Sequence, residues 1–319
     1  MILIIGGTAA YFLDHEAESG PLERVNLDTP YGPAFPILLL PPPSSSRSPG
    51  HRLAFASRHG LKRLEVSPPF VNARANIWAA HALGVRAILG WNGVGAINPL
   101  LEVHDLLVLD GVLDFTKNRN PRLSSEERVP VQGTGPRGSP ACLAPPPLVP
   151  IFAPALRAAL FRAARATTRR AFPHGTYACT EGPRLETAAE IQAFRRMGAD
   201  VVGMTLVPEV FLAREMGIAC GSLAYVTNYA TGVEPVAHAP RHFGVDVARR
   251  CLHIVRAAAA MLLNESDQGN NSDSNNDNDA PGMWYNAEEC PRPDGGEEHH
   301  QSAKRTEAQN RKKPSHEDR

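Results

Sequence analysis

Between Thr180 and Val210 the chain spells TEGPRLETAAEIQAFRRMGADVVGMTLVPEV, and its polar residues fall where an apolar strand must stop. Residues 201–204 are that strand. Met204, Thr205 and Glu209 stand at its end, where a packed core needs none of them, so the segment reads as a binding site laid along one strand. Three further strand ends carry donors. Gly6-Gly7-Thr8 follows the apolar run at residues 2–5; glycines let the backbone approach an anion and Thr8 adds a hydroxyl. Arg58-His59-Gly60 follows the strand at residues 53–56, and a guanidinium there matches phosphate oxygens two at a time. Asn92-Gly93-Val94-Gly95 closes the next strand with small residues that expose backbone N–H groups. Taken singly, these are a tight turn, a surface Arg-His pair and a small-residue turn. Their recurrence after successive strands points to one phosphate.

Such motifs need elements to hold them, and the apolar pattern supplies alternating strands and helices. Strands are expected at residues 2–5, 37–40, 52–56, 85–89, 106–109, 201–204 and 218–227. Helices are expected at 72–83, 153–172, 187–197, 208–216 and 245–263, with Gly84, Gly198 and Gly217 past three of their ends. This alternation implies an α/β layered fold with a central sheet, in which ligands bind where strands end. Residues 41–50 form a Pro/Ser-rich surface loop. Residues 118–150, broken by prolines, glycines and serines, take no regular structure and read as an active-site flap or an insertion.

Composition bounds the rest. Residues 264–319 are poor in aliphatics and rich in Asn, Asp, Ser, Glu and Lys, which implies a disordered polar tail behind one domain at 1–263. The 33 basic and 33 acidic residues cancel and no face is visibly basic, so neither nucleic acid nor an anionic membrane is implied as partner. Cys142, Cys179, Cys220, Cys251 and Cys290 are odd in number and irregularly spaced, which suits reduced thiols rather than a disulfide framework or a structural zinc. MILIIGGT is too short for a signal-peptide core and has no basic flank, and no apolar run approaches membrane-spanning length; a soluble cytoplasmic protein is expected.

GPRLET, GADVVGMT and VPEV, together with the Arg-His-Gly turn, the Thr after the first strand and the segment VNARANIWAA, closely resemble the trimeric purine nucleoside phosphorylase and methylthioadenosine phosphorylase family. The resemblance covers residues 1–263 apart from the two loops. It implies a single-domain, three-layer fold with a mixed central sheet flanked by helices, and a homotrimer. It further implies phosphorolysis, in which inorganic phosphate attacks C1′ of a purine nucleoside to give free base and a ribose 1-phosphate. Phosphate is then a co-substrate, and neither cofactor nor metal is called for. By this resemblance Thr8, Arg58, His59, Asn92, Gly93 and Thr205 hold phosphate, Met204 lies under the sugar, and Leu185 contacts the base in place of the family's usual Phe. His59, Glu186 and Asn228 are the catalytic candidates.

Glu186 and Asn228 bear on which purine is used. A 6-oxopurine offers an N1–H donor and an O6 acceptor, whereas adenine offers an N1 acceptor and an amino donor. A carboxylate only accepts, so Glu186 suits N1–H; Asn228 can donate to O6 and accept from N7–H as the base leaves. In adenosine-type relatives these positions are typically Ser and an Asp followed two residues later by a second Asp, where this chain has Ala230. The closest likeness is to 6-oxopurine phosphorylases of the methylthioinosine type. Residues 61–70 carry no histidine, although relatives draw one from that loop for the 5′ pocket; His238 and His242 are candidates to approach that position, and a surface placement suits them as well. An S-methyl-5′-thioadenosine phosphorylase is the alternative within the family, and two other classes fit parts of the chain: a catalytically degenerate nucleotide-binding paralogue, and a dehydrogenase built on Gly6-Gly7-Thr8 with Asp28 about twenty residues on. The latter lacks the GxGxxG spacing.

Overall fold

A computed structural model of the chain describes residues 1–13, 22–41, 53–123, 150–234 and 244–269. The strands in chain order are β1 (Ile2–Gly6), β2 (Glu23–Val25), β3 (Asp28–Thr29), β4 (Gly32–Pro33), β5 (Ile37–Leu40), β6 (Leu53–Ser57) and β7 (Ala87–Ala96). They continue with β8 (Leu106–Val108), β9 (Gly111–Phe115), β10 (Ala171–Phe172), β11 (Thr176–Thr180), β12 (Val201–Gly203) and β13 (Ala219–Tyr229). Five α-helices accompany them among the described residues: α1 (Ala73–Ala82), α2 (Pro154–Thr167), α3 (Ala188–Arg196), α4 (Glu209–Glu215) and α5 (Val245–Gly269).

β1 is buried at all five positions, as a strand covered on both faces must be. It runs parallel to β6 on one side and β7 on the other, in the sheet order β10-β8-β13-β7-β1-β6-β5-β2. Alternate residues divide between two cores, following the two-residue period of a strand. Ile2 and Ile4 join Phe55, Trp91, Leu160 and Val255 under α2 and α5, while Leu3 and Ile5 join Ile77 and Val210 under α1 and α4. Helix, sheet, helix is therefore the layering, and the sheet is mixed because β5 and β8 run antiparallel to their neighbours β6 and β13. A second arm leaves the sheet at β7. There β12 pairs antiparallel with Gly95 and Ala96, and β11 and β9 follow in parallel. α3 covers this arm through Ile191 and Phe194, the latter stacked on Phe115 with ring centroids 4.3 Å apart.

Local signals place most of the expected elements within a residue or two, whereas the strands β2, β3, β4, β9 and β11 are not expected from the residues alone. Asn72 caps α1 by accepting from Ala75 N at 3.2 Å, and Thr187 with Glu190 forms a reciprocal capping box at the start of α3. Gly84, Gly198 and Gly217 all adopt positive φ after their helices. Four expectations change. The helix expected at 153–172 stops at Thr167; Thr168 is extended, and Ala171–Phe172 instead becomes β10, paired with β8. β7 does not end at Leu89 but runs on to Ala96, because β13 pairs alongside it and overrides the poor strand propensity of its glycines. β13 likewise runs on to Tyr229, and the last helix continues six residues beyond Leu263. Of the irregular stretch at 118–150, residues 118–123 are described and anchored, while 124–149 lie outside the described residues, as do 42–52 and 270–319. No helix among the described residues is long and apolar enough to cross a membrane. Cys179, Cys220 and Cys251 are free and buried, and burial pushes the thiols of Cys179 and Cys251 up to about 12.

Candidate active site

β1 pairs with β7 only as far as Gly90, and β12 takes over the same edge at Gly95. Residues 91–94 keep β13 on one side and, among the described residues, have no strand on the other. Gly7 and Thr8 fold onto this edge. A Cβ on Gly7 would lie 2.2 Å from the Trp91 carbonyl oxygen, and one on Gly93 would lie 2.8 Å from Thr8 Oγ1, so only glycine fits at either place. Thr205 arrives from the β12 side, and its Oγ1 donates to Asn92 Oδ1 at 3.0 Å. Asn92 Nδ2 in turn donates to Ser222 Oγ at 2.8 Å. Thr8, Gly93 and Thr205 therefore border one short length of β7. Asn92 is not part of an exposed turn. It lies fully buried within a strand, and its side chain is a strut that holds Thr205.

Arg58 departs further from expectation. Its Nε and Nη2 meet Glu209 Oε2 and Oε1 at 2.7 and 2.6 Å, and Nη1 donates to the Trp91 carbonyl at 3.0 Å. The fork expected for phosphate oxygens is taken by a carboxylate, and the pair is almost completely buried. A guanidinium has five N–H groups, so one remains on Nη1, which lies at the Trp91 carbonyl, and one on Nη2, which lies by Gly90. Glu209, read from the sequence as a binding group at the strand end, is the counter-ion that makes a buried Arg58 tolerable.

His59 is buried as well. Gly60, at φ 114°, turns the chain so that Glu65 and Val66 return their amides to the His59 carbonyl. The imidazole Nδ1 lies 2.8 Å from the Val66 carbonyl, which can only accept, so Nδ1 carries the proton and Nε2 is an acceptor. Burial, with the Arg58 cation behind it, lowers the imidazole from its usual value to about 4. A neutral acceptor at this point is suited to the P–OH of hydrogen phosphate.

The base-side candidates occupy the arm formed by β11, β12, β7 and β13. Thr180 ends β11, and its hydroxyl donates to Glu186 Oε1 at 2.5 Å; Glu186 is buried and has no other hydrogen bond among the described residues. Asn228 follows a bulge in the β13–β7 pairing at Thr227, the kind of irregularity that re-aims a side chain. The strand ahead of the bulge is clamped by His104 N to Val226 O at 2.9 Å and Val226 N to Asp105 O at 3.0 Å. Asn228 Oδ1 accepts from the Thr227 hydroxyl at 2.8 Å and Nδ2 donates to Tyr229 O at 2.8 Å, which leaves one lone pair and one N–H unspent. Ala230 is buried, with its amide on Ala96 O. A Cβ on Gly232 would touch Ala188 Cβ at 2.6 Å, so the chain after Asn228 returns against the residues that follow Glu186. Leu185 is 54% exposed, and the Met204 side chain lies against Gly182. His238 and His242 lie outside the described residues.

Arg119 is the residue that sequence reasoning passed over. In a polar, proline-broken segment an arginine looks like surface, and no pattern marks it. Nη1 donates to Met204 O and Val207 O at 2.6 and 2.7 Å, and Nη2 to Glu181 O and Thr180 O at 2.6 and 3.4 Å. Nε reaches Glu181 Oε1 at 3.2 Å. Glu181 also accepts the amides of Lys117 and Asn118; against the upward push of burial, these contacts and Arg119 hold its carboxyl below the usual range. Asp28, by contrast, is exposed in the two-stranded β3–β4 sheet and follows the antiparallel edge strand β2, so it cannot serve as the ribose acid of a dinucleotide fold.

A mixed sheet whose polar groups gather at its strand ends in this way defines the nucleoside phosphorylase class of α/β enzymes. The chain belongs to the phosphorylase superfamily, whose family model matches residues 2–263. It is 39% identical over 232 residues to the 6-oxopurine nucleoside phosphorylase of Pyrococcus furiosus, covering 73% of this chain and 80% of the relative. It is 38% identical over 232 residues to the S-methyl-5′-thioadenosine phosphorylase of the same organism, covering 72% and 80%. Among solved structures, a methylthioadenosine phosphorylase from an Antarctic soil metagenomic library superposes with a TM-score of 0.66 at 29% identity, covering 83% of this chain and 87% of that one. The Schistosoma mansoni methylthioadenosine phosphorylase in its apo form gives 0.63 at 26% identity, covering 83% and 91%. The reaction is purine nucleoside phosphorolysis, a pentosyl transfer to phosphate. Two relatives named for different purines match to within one percentage point, so base preference has to be argued from residues.

Proposed function

We propose that this enzyme acts on 6-oxopurine nucleosides: inosine, guanosine or methylthioinosine. The observation that carries this reading is the buried Glu186 carboxylate, oriented by the Thr180 hydroxyl at 2.5 Å. A carboxylate so held accepts N1–H of a 6-oxopurine and repels the N1 lone pair of adenine. Asn228 offers its unspent N–H to O6 and its unspent lone pair to N7–H. Leu185, on the rim, covers the base.

Phosphate is held by Thr8, the Gly93 edge of β7, the two unspent N–H groups of Arg58 and Thr205, whose hydroxyl proton turns from Asn92 to the phosphate, while His59 Nε2 accepts its P–OH. An oxygen of this phosphate attacks C1′ as the C1′–N9 bond breaks, and the dianion stabilises the positive charge that develops on the sugar. The bonding pair leaves with the purine, whose N7 takes up a proton from solvent water, and the N7–H is then held by Asn228 Oδ1. Met204 lies beneath the sugar hydroxyls. The same reading includes a cytoplasmic homotrimer, to be checked by sedimentation.

Phosphorolysis rates for inosine, guanosine, methylthioinosine and methylthioadenosine, compared in one assay, test the purine. A buried polar group left unpaired discriminates by about four orders of magnitude in favourable cases, so the expected preference for the three 6-oxopurines is large. Faster turnover of methylthioadenosine breaks the reading of Glu186, and release of no base from any of the four would support the degenerate paralogue.

A further inference from the structure

We infer that Arg119 is a positioning residue that ties the base-selecting turn to the phosphate cradle, although it belongs to neither. All five of its N–H groups are used, and they divide between two segments. Three reach Thr180 and Glu181. Thr180 supplies the hydroxyl that orients Glu186, and Glu181 opens the turn leading to Leu185 and Glu186. The other two reach the carbonyls of Met204 and Val207, which bracket Thr205 and its bond to Asn92.

The two segments meet in the sheet only through the short pairing of β11 with β12, whose last paired residues are Cys179 and Gly203. Beyond that point both chains leave the ladder, and Arg119 supplies the bonding that the sheet no longer provides. Its side chain is 8% exposed, and its carboxylate partner is fixed by two backbone amides. The guanidinium is thus a rigid planar bracket. Lysine offers three donors from a single point and cannot span four carbonyls. A shift of about 1 Å in catalytic geometry costs roughly 100-fold in rate, so loss of the bracket should reach both substrates.

The inference rests on the roles assigned above to Glu186 and Thr205, and the experiment separates the two. Wild type, Arg119→Met and Arg119→Lys are purified as the full chain. For each, KM for phosphate, KM for inosine, kcat, the inosine-to-methylthioadenosine ratio and Tm are measured. Arg119→Met is expected to raise both KM values roughly tenfold and to erode the purine preference by a similar factor, with Arg119→Lys intermediate. A bracket that merely stabilises the fold lowers Tm but leaves both KM values and the ratio unchanged, and that result overturns the inference. If Arg119→Met does not fold, Arg119→Lys decides by the same two KM values. If neither folds, Arg119 is a folding determinant and the inference is wrong. A wild type without inosine preference defeats the purine reading alone, since the two KM values still report on Arg119.

Discussion

The phosphate and base halves of the proposed active site are built differently. On the phosphate side, groups far apart in the chain are cross-braced inside the protein: Arg58 by Glu209, Asn92 by Ser222 and Thr205, Gly93 by Thr8. On the base side, Glu186 is held by a residue six positions away, and Asn228 by its two immediate neighbours. Leu185 stands half out in solvent where Arg58 is sealed. In the proposed site, phosphate handling is therefore a property of the sheet and inherits its rigidity, whereas purine choice is a property of two turns. A turn held by its neighbours can change one residue at a time without disturbing the sheet, which is why the fold alone does not name the purine.

The contrast breaks most sharply at Arg58. Replacing it with Met leaves Glu209 charged and buried without a partner, at a cost of about 3–5 kcal/mol, and phosphorolysis should be lost. The double variant Arg58→Met with Glu209→Gln should recover much of that stability and none of the activity. Urea unfolding together with the phosphate KM distinguishes the two effects. Recovery of activity along with stability would mean that Arg58 serves the fold only.

His59 tests the same side through pH. Its imidazole titrates near 4 in the folded protein and near 6.5 when unfolded, so the unfolded chain binds the extra proton first as pH falls. The stabilisation from keeping His59 neutral is complete above about 6.5, is lost progressively down to about 4, and amounts to about 3 kcal/mol at most. The stability difference between wild type and His59→Asn, followed from pH 8 to pH 4, should shrink or reverse on acidification. A flat difference would show that His59 titrates normally.

Glu186→Gln is the mildest of the three and the most selective. Losing a hydrogen bond to a charged group costs about 1.5–3 kcal/mol, or roughly 10- to 100-fold in kcat/KM for inosine. The phosphate KM and Tm should scarcely move, because nothing in the cradle rests on Glu186. A parallel rise in the phosphate KM would erase the distinction between the two halves.

Local chemistry made much of this protein legible from its residues. The apolar run of β1, the Thr187–Glu190 capping box, and the glycines that take positive φ after α1, α3 and α4 all act over a few positions. The motifs at Thr8, Arg58, His59 and Thr205 were visible for the same reason, since each stands at the end of an apolar run. The partners of those residues were not visible. Glu209 lies 151 residues from Arg58, and Ser222 lies 130 from Asn92. β7 crosses three glycines because β13 runs beside it, and Arg119 gains its bonds from carbonyls that only the folded arm presents. Residue order alone set where seven of the strands and the five helices begin, and which groups suited to phosphate and a purine stand at their ends. Tertiary structure decided which of them remain free to act and which are braces, because a hydrogen bond or ion pair across more than a hundred residues exists only once the sheet has brought its ends together.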